Sequence, residues 1–247
     1  MENIEAYKTF SPTEKVRKKE ENPFEDERVA RHWSETVENE RDRARDREIY
    51  PRLQKWIQET APDTVVEIGS GQGISGTKLG SFAGTYVGVE PSAYLVERSQ
   101  EIYGNDKRNF VRGNAYEMPI KNDSVDAIFS NNVWFHLGEI ERAAANMSQA
   151  LKPGGDYYII TRNPKTYDVL VNKGFRNAVQ EGKKVTGALI LPSGDTPKTV
   201  VYLHSLEEMV GSLEDSGLVV DVVESFDSVN TKDFFLAIKG HKRTPYQ

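Results

Sequence analysis

The sequence predicts an α/β protein built on a seven-stranded, mostly parallel sheet with helices on both faces. Two observations predict it. From residue 64 to residue 163 short apolar runs alternate with helical patterns, as strand–helix–strand units require, and two further runs follow near the C-terminus. The first apolar run leads straight into a glycine-rich turn, Gly69-Ser70-Gly71-Gln72-Gly73, as at the tip of a buried strand.

Taken in order, residues 1–26 are polar, contain Pro12 and Pro23, and show no apolar period; they read as a loose arm with Tyr7 and Phe10 as its anchors. Glu25 to Arg47 is strongly charged, with Val29, Trp33 and Val37 four apart, a narrow stripe on one helix. A second helix is expected over Glu48–Thr60, facing inward through Ile49, Leu53, Trp56 and Ile57 and ended by Pro62. Strands are expected at Thr64–Ile68, Thr85–Val89, Asn109–Arg112, Val125–Ser130, Asp156–Thr161, Val219–Ser225 and Phe234–Lys239. Helices fill Ile74–Phe82, Ala93–Tyr103, Ile140–Leu151 and Leu206–Asp215, the last opened by a capping box of Ser205 and Glu208. Residues 164–204 break the rhythm: Leu189–Leu191, the turn Pro192-Ser193-Gly194-Asp195 and Thr199–Leu203 read as a hairpin insertion. Such a hairpin at the carboxyl end of a parallel sheet would lie over the ligand crevice as a substrate lid. The domain plan is therefore an arm and cover helix (1–47), a cofactor-binding core (48–163), the insertion (164–204) and the C-terminal part of the core (205–247).

Composition narrows the function. The chain has 247 residues, 37% hydrophobic and 28% charged, which suits one elaborated domain. No apolar stretch approaches the ~20 residues that cross a bilayer, and Met1–Phe10 lacks a secretory pattern, so a cytoplasmic protein with no membrane partner is expected. There is no cysteine, which excludes disulfides, thiolate metal sites and a cysteine nucleophile. The four histidines, His32, His136, His204 and His241, are scattered, and no metal is expected. A net charge of −6, with the basic runs Lys15–Lys19 and Arg41–Arg47 interleaved with acids, argues against nucleic acid as the main partner.

The glycine turn decides between two cofactor classes. A dinucleotide site wants a third glycine where Ile74 stands, so that motif fails. What stands is Glu67-x-Gly69-x-Gly71-x-Gly73. Glu90 ends the second strand, followed by Pro91-Ser92; an acid there can accept hydrogen bonds from both ribose hydroxyls. Beyond it lie Asn114-Ala115-Tyr116 after the third strand, Asn131-Asn132 after the fourth, and Leu151-Lys152-Pro153-Gly154-Gly155 before the fifth.

These five segments, in this order, resemble the motifs of class I S-adenosylmethionine-dependent methyltransferases, over residues 45–163 and 205–240 and most closely the small-molecule branch with a ubiquinone-biosynthesis-type core. The resemblance implies a Rossmann-like sheet with an antiparallel last strand. It also implies S-adenosyl-L-methionine as cofactor and S-adenosyl-L-homocysteine as product. By the same resemblance Glu67, Gly69, Ser70, Gly71, Gly73, Glu90, Pro91, Ser92, Asn114, Ala115, Tyr116, Asn131 and Asn132 bind the cofactor. The family often places an Asp at position 114; here the Asn114 side-chain carbonyl is expected to accept from the adenine amino group. His136, after the fourth strand, is the first candidate for a general base, and His204 the second. Methyl transfer at oxygen or nitrogen of a small-molecule acceptor by a monomer or homodimer is the reading. The alternatives are an RNA or protein acceptor, or a regulatory protein that binds the cofactor without reaction.

Overall fold

The computed structural model describes residues 22–39, 44–79, 82, 84–189 and 197–244. The expected arm anchors Tyr7 and Phe10, the Val37 side chain and the turn at 192–195 lie outside the described residues.

The N-terminal cover is more divided than the expected single helix over Glu25–Arg47. Pro23–Glu25 form a tight turn in which the Asn22 side chain accepts the Phe24 N–H at 3.0 Å. Helix α1 then runs over Glu27–Asn39. A π-helical turn at Arg45–Ile49 leads into α2 (Tyr50–Thr60), so the second helical stretch begins ahead of Glu48. Pro51 supplies the reason: without an N–H it cannot continue an α-helical ladder, and the wider turn comes before it. Ala61, at φ +44, closes α2 in left-handed conformation and returns its N–H to Ile57 O at 2.9 Å.

The sheet follows the sequence closely. Its strands are β1 (Thr64–Ile68), β2 (Thr85–Glu90), β3 (Arg108–Arg112), β4 (Val125–Asn131) and β5 (Leu151–Arg162), joined by α3 (Ala93–Tyr103) and α4 (Ile140–Ala150). Between β1 and β2 the expected helix Ile74–Phe82 is not formed; the described residues there show only a tight turn at Ser75–Thr77. Gly76 lies against the Tyr86 ring, where a Cβ would sit 2.7 Å away, and glycine and serine are poor helix formers.

After β5 the insertion holds α5 (Tyr167–Gly174) and three antiparallel strands, β6 (Phe175–Glu181), β7 (Lys184–Leu189) and β8 (Lys198–Tyr202). The expected hairpin is β7–β8; α5 and β6 are additions. Only Phe175 of β6 is buried, so the strand carries none of the apolar alternation that reveals strands in a sequence. The chain returns through α6 (Leu206–Asp215), β9 (Leu218–Phe226) and β10 (Phe235–Lys242), and α6 starts on the Ser205–Glu208 capping box.

The seven core strands order as β3-β2-β1-β4-β5-β10-β9, with β10 antiparallel to both neighbours. Strand direction of connection reverses between β1 and β4, which opens a crevice at their carboxyl ends. Alternation along β1 feeds two cores. Val66 and Ile68 pack with Ala144 and Met147 of α4 and Leu213 of α6, whereas Val65 packs with Leu53, Trp56 and Ile57 of α2. No helix among the described residues is long and apolar enough to cross a membrane.

Candidate functional site

The loop after β1 is shaped by left-handed backbone. Gly69, Gly71 and Gly73 have φ of +72, +54 and +81, a region that disfavours side chains. A Cβ on Gly69 would meet Val133 Cγ2 at 2.3 Å, and one on Gly73 would meet the Phe110 ring at 2.6 Å. Gly71 differs: a Cβ there meets nothing within 4 Å, so its backbone faces open space. The loop is tied to β2 by the Gly69 and Ser70 N–H groups, which donate to Val89 O at 2.8 and 3.1 Å.

Glu90 completes the tie. Its Oε2 accepts the Gly71 N–H and its Oε1 the Ser92 N–H, both at 3.0 Å. Burial to 5% exposure pushes the carboxyl up to about 7, against those two amides, which favour the ionised form. Ser92 caps α3, and Pro91 O receives Arg112 Nε at 3.3 Å. Glu67 takes a different place. It points to the α2 face of the sheet, where the Tyr86 hydroxyl donates to it, and burial pushes its carboxyl up to about 7. It is buried and lines no open space.

Asn114 departs from the expectation made for its carbonyl. Oδ1 accepts the N–H groups of Tyr116 and Glu117, both at 2.9 Å, a local turn that uses the acceptor expected for adenine. The Tyr116 hydroxyl reaches across to accept the Gly138 N–H at 3.0 Å, linking this turn to the loop after β4. Ala115 is buried between them. On that fourth loop Asn132 sits at φ +58, uncommon for a side-chain-bearing residue, and donates its Nδ2 to Asn131 Oδ1 at 3.0 Å. Asn132 Oδ1, Gln72 Nε2 and Trp134 Nε1 are buried without a hydrogen-bond partner. Buried polar atoms of this kind are normally satisfied, so a ligand or water rich in donors and acceptors fits here.

The two histidines separate. His136 lies between the fourth loop and the cover: its ring is 4.2 Å from that of Phe135 and 6.3 Å edge-on from Phe24, and its Nδ1 lies 3.4 Å from Val200 O. Burial pushes its pKa down to about 4, so the ring is neutral. His204 instead donates Nε2–H to Leu137 O at 2.6 Å, at the joint between β8 and α6, and burial lowers its pKa as well. That contact gives His204 a structural task away from the glycine loop.

Three neighbours of the crevice carry no motif that would have marked them. Phe24 packs on Trp33 at 5.4 Å as well as on His136, which brings the cover onto the crevice. Arg45 lies 6.0 Å from the Trp33 ring, and Arg162 ends β5 among the rings of Phe135, Phe234 and Phe235. Only Pro23 after Asn22, a helix-start pair, hinted at the first of these.

Residues 66–159 match the family model described as a methyltransferase domain. Over 115 residues the chain is 31% identical to the sterol 24-C-methyltransferase of Pneumocystis carinii, covering 44% of this chain and 30% of that protein. A methyltransferase of Mycobacterium avium is 29% identical over 92 residues, 37% of this chain and 36% of its own length. The chain thus spans about a third of these curated relatives, at 30% and 36%. Among solved structures, a SAM-dependent methyltransferase of Methanosarcina mazei superposes with a TM-score of 0.62 at 19% identity, over 79% of this chain and 99% of that one. A geranyl diphosphate methyltransferase in complex with SAM superposes with a TM-score of 0.57 at 17% identity, over 78% and 85%. The motif order, the sheet order with its antiparallel β10 and the matched domain agree: residues 66–159 match a methyltransferase domain, and the fold is similar to that of S-adenosylmethionine-dependent methyltransferases.

Proposed function

We propose that this chain transfers a methyl group from S-adenosylmethionine to oxygen or nitrogen of a small-molecule acceptor. The observation that carries the reading is the joint between Gly71 and Glu90: a bare left-handed backbone facing open space, locked to a buried carboxylate at the tip of the next strand. Glu90 keeps lone pairs for two ribose hydroxyls while holding the loop, and the Asn114 amide, Gln72 and Asn132 offer further polar contacts. The cofactor supplies an electrophilic methyl group on a sulfonium.

The protein's own share is orientation and exclusion of water. Holding donor and acceptor in line can lower a barrier by ~7–11 kcal/mol, so positioning residues outweigh any acid or base. Phe24 packs on Trp33 and His136, and the insertion packs on Phe135, which supports the reading of both segments as a cover. The relatives named for a sterol and for geranyl diphosphate act on small acceptors, which supports the same class here.

The test is calorimetry with S-adenosylhomocysteine, followed by a screen for its release with small hydroxyl and amine acceptors. Binding with turnover of a small acceptor is the expected result. Absence of binding, or methyl incorporation confined to RNA or protein, would overturn it.

A further inference from the structure

We propose that one peptide group, the bond from Leu137 to Gly138, couples the cofactor side of the crevice to the acceptor side, and that Tyr116 and His204 are the positioning residues that hold it. The proposal rests on reading the crevice as a methyltransferase site. The carbonyl and the N–H of a trans peptide point in opposite directions, so partners can grip the group from two sides. Here Leu137 O accepts His204 Nε2–H at 2.6 Å, and the Gly138 N–H donates to the Tyr116 hydroxyl at 3.0 Å. The neighbouring Glu139 N–H approaches the same hydroxyl at 3.4 Å.

Each grip is fixed by its own element. Tyr116 stands in the turn after β3, where Asn114 Oδ1 takes the Tyr116 and Glu117 N–H groups, both at 2.9 Å, and the Arg142 guanidinium of α4 lies 5.3 Å from its ring. That turn aims the hydroxyl at the loop after β4. His204 stands between β8 and α6, directly before the Ser205–Glu208 capping box, with its ring 6.1 Å from that of Tyr202. Its Nδ1 is buried without a hydrogen-bond partner, so among the described residues the ring's one hydrogen bond is the tie to Leu137 O.

A second, reciprocal tie joins the same two segments. From the loop, His136 Nδ1 meets Val200 O of β8 at 3.4 Å; from the insertion, His204 returns a hydrogen bond to the loop. The loop therefore moves with the insertion, while Tyr116 ties it to the turn after β3. A peptide group bonded at both ends is polarised, so each hydrogen bond strengthens the other and the loss of one loosens both. A ligand that orders the 114–117 turn then also orders the loop carrying Asn132 and His136, and with it the insertion that packs on Phe135 through Val185 and Val201. Acceptor affinity thus follows cofactor occupancy, and by linkage an acceptor tightens the cofactor by the same factor.

The test follows amide hydrogen exchange by NMR in the full-length protein, with and without saturating S-adenosylhomocysteine. The reporters are the Gly138 N–H and, in the insertion, the Leu203 N–H, which donates to Lys183 O at 2.8 Å. In wild type the ligand should slow both. In Tyr116→Phe the Gly138 N–H should exchange about fivefold faster, as the loss of one hydrogen bond implies, and Leu203 should stop responding to the ligand. His204→Leu should also silence Leu203, whereas His204→Gln, which keeps an N–H donor, should retain the response. A merely structural contact would lower stability in these variants and leave the response intact. If His204→Leu does not fold, wild type, Tyr116→Phe and His204→Gln carry the test. A Leu203 amide indifferent to the ligand in wild type, a full response in Tyr116→Phe or His204→Leu, or a lost response in His204→Gln would each overturn the proposal. Failure of S-adenosylhomocysteine to bind wild type would instead sink the methyltransferase reading.

Discussion

Glu90 and Gly71 are joined by a 3.0 Å hydrogen bond from the glycine N–H to Oε2, while Oε1 holds the Ser92 N–H at the same distance. One carboxylate therefore fixes the bend after β1 against the turn after β2 before any ligand arrives. Preorganisation of this kind lowers the ordering cost of binding. Glu90→Ala removes both the loop tie and the acceptor for ribose hydroxyls, so S-adenosylhomocysteine affinity should fall by about 2–4 kcal/mol, roughly thirty- to a thousandfold. Isothermal titration checks it, and an unaltered dissociation constant would take Glu90 out of the site.

The glycines at 69 and 71 should fail in different ways. Gly69→Ala places a methyl 2.3 Å from Val133 Cγ2 at φ +72 and should cost about 2–4 kcal/mol of stability through overlap and left-handed strain. Gly71→Ala, at φ +54 with open space around it, should cost only about 1–2 kcal/mol of stability. Its methyl enters the space assigned to the nucleoside, so ligand affinity should drop while the fold survives. Thermal melts paired with titrations separate the two; equal binding by Gly71→Ala and wild type would show that the open space is not the binding face.

Two buried carboxyls set a pH dependence. Glu67 and Glu90 are both raised from 4.5 to about 7 by burial. Their protonated forms are the ones the folded protein favours, so the stability they confer is full below pH 4.5 and is lost as the pH rises through about 7. Glu67→Gln keeps an acceptor for the Tyr86 hydroxyl and removes one titration. The melting temperature of wild type should therefore decline relative to Glu67→Gln across that window, and parallel curves would rule the linkage out. Affinity for the cationic cofactor should move the opposite way, rising as Glu90 ionises.

Much of the sheet was legible in the sequence because each strand declares itself locally. The Thr64–Ile68 and Val125–Asn131 runs are rich in apolar residues and largely buried, and the start of Leu206–Asp215 follows from the Ser205 cap. Strand β6 stayed hidden because its residues beyond Phe175 are exposed and it is held by pairing to β7 alone. The site divides along the same line. Glycine spacing and Glu90 are matters of local backbone chemistry, whereas the burial of Glu67 toward Tyr86, the use of the Asn114 carbonyl by its own turn and the arrival of Arg162 beside Phe135 depend on which strands lie side by side.

His136 gives the sharpest mechanistic prediction. A general base works best when its pKa lies near the operating pH and then contributes ~100- to 10,000-fold. Burial, with Phe24 and Phe135 beside the ring, pushes this imidazole down to about 4 against the Val200 carbonyl, which favours the protonated form, so it is neutral and holds a proton poorly. A sulfonium nearby would push in the same direction, because like charges disfavour the imidazolium. His136→Asn should then lower kcat by less than about tenfold, and the pH profile of kcat/KM between about pH 6 and 9 should keep its shape in the variant. What the variant should lose is packing: Phe24 gives up a ring partner, so KM for the acceptor should rise more than kcat falls. A loss above a thousandfold in kcat, with disappearance of an inflection near neutrality, would show instead that cofactor binding re-tunes this histidine into a working base.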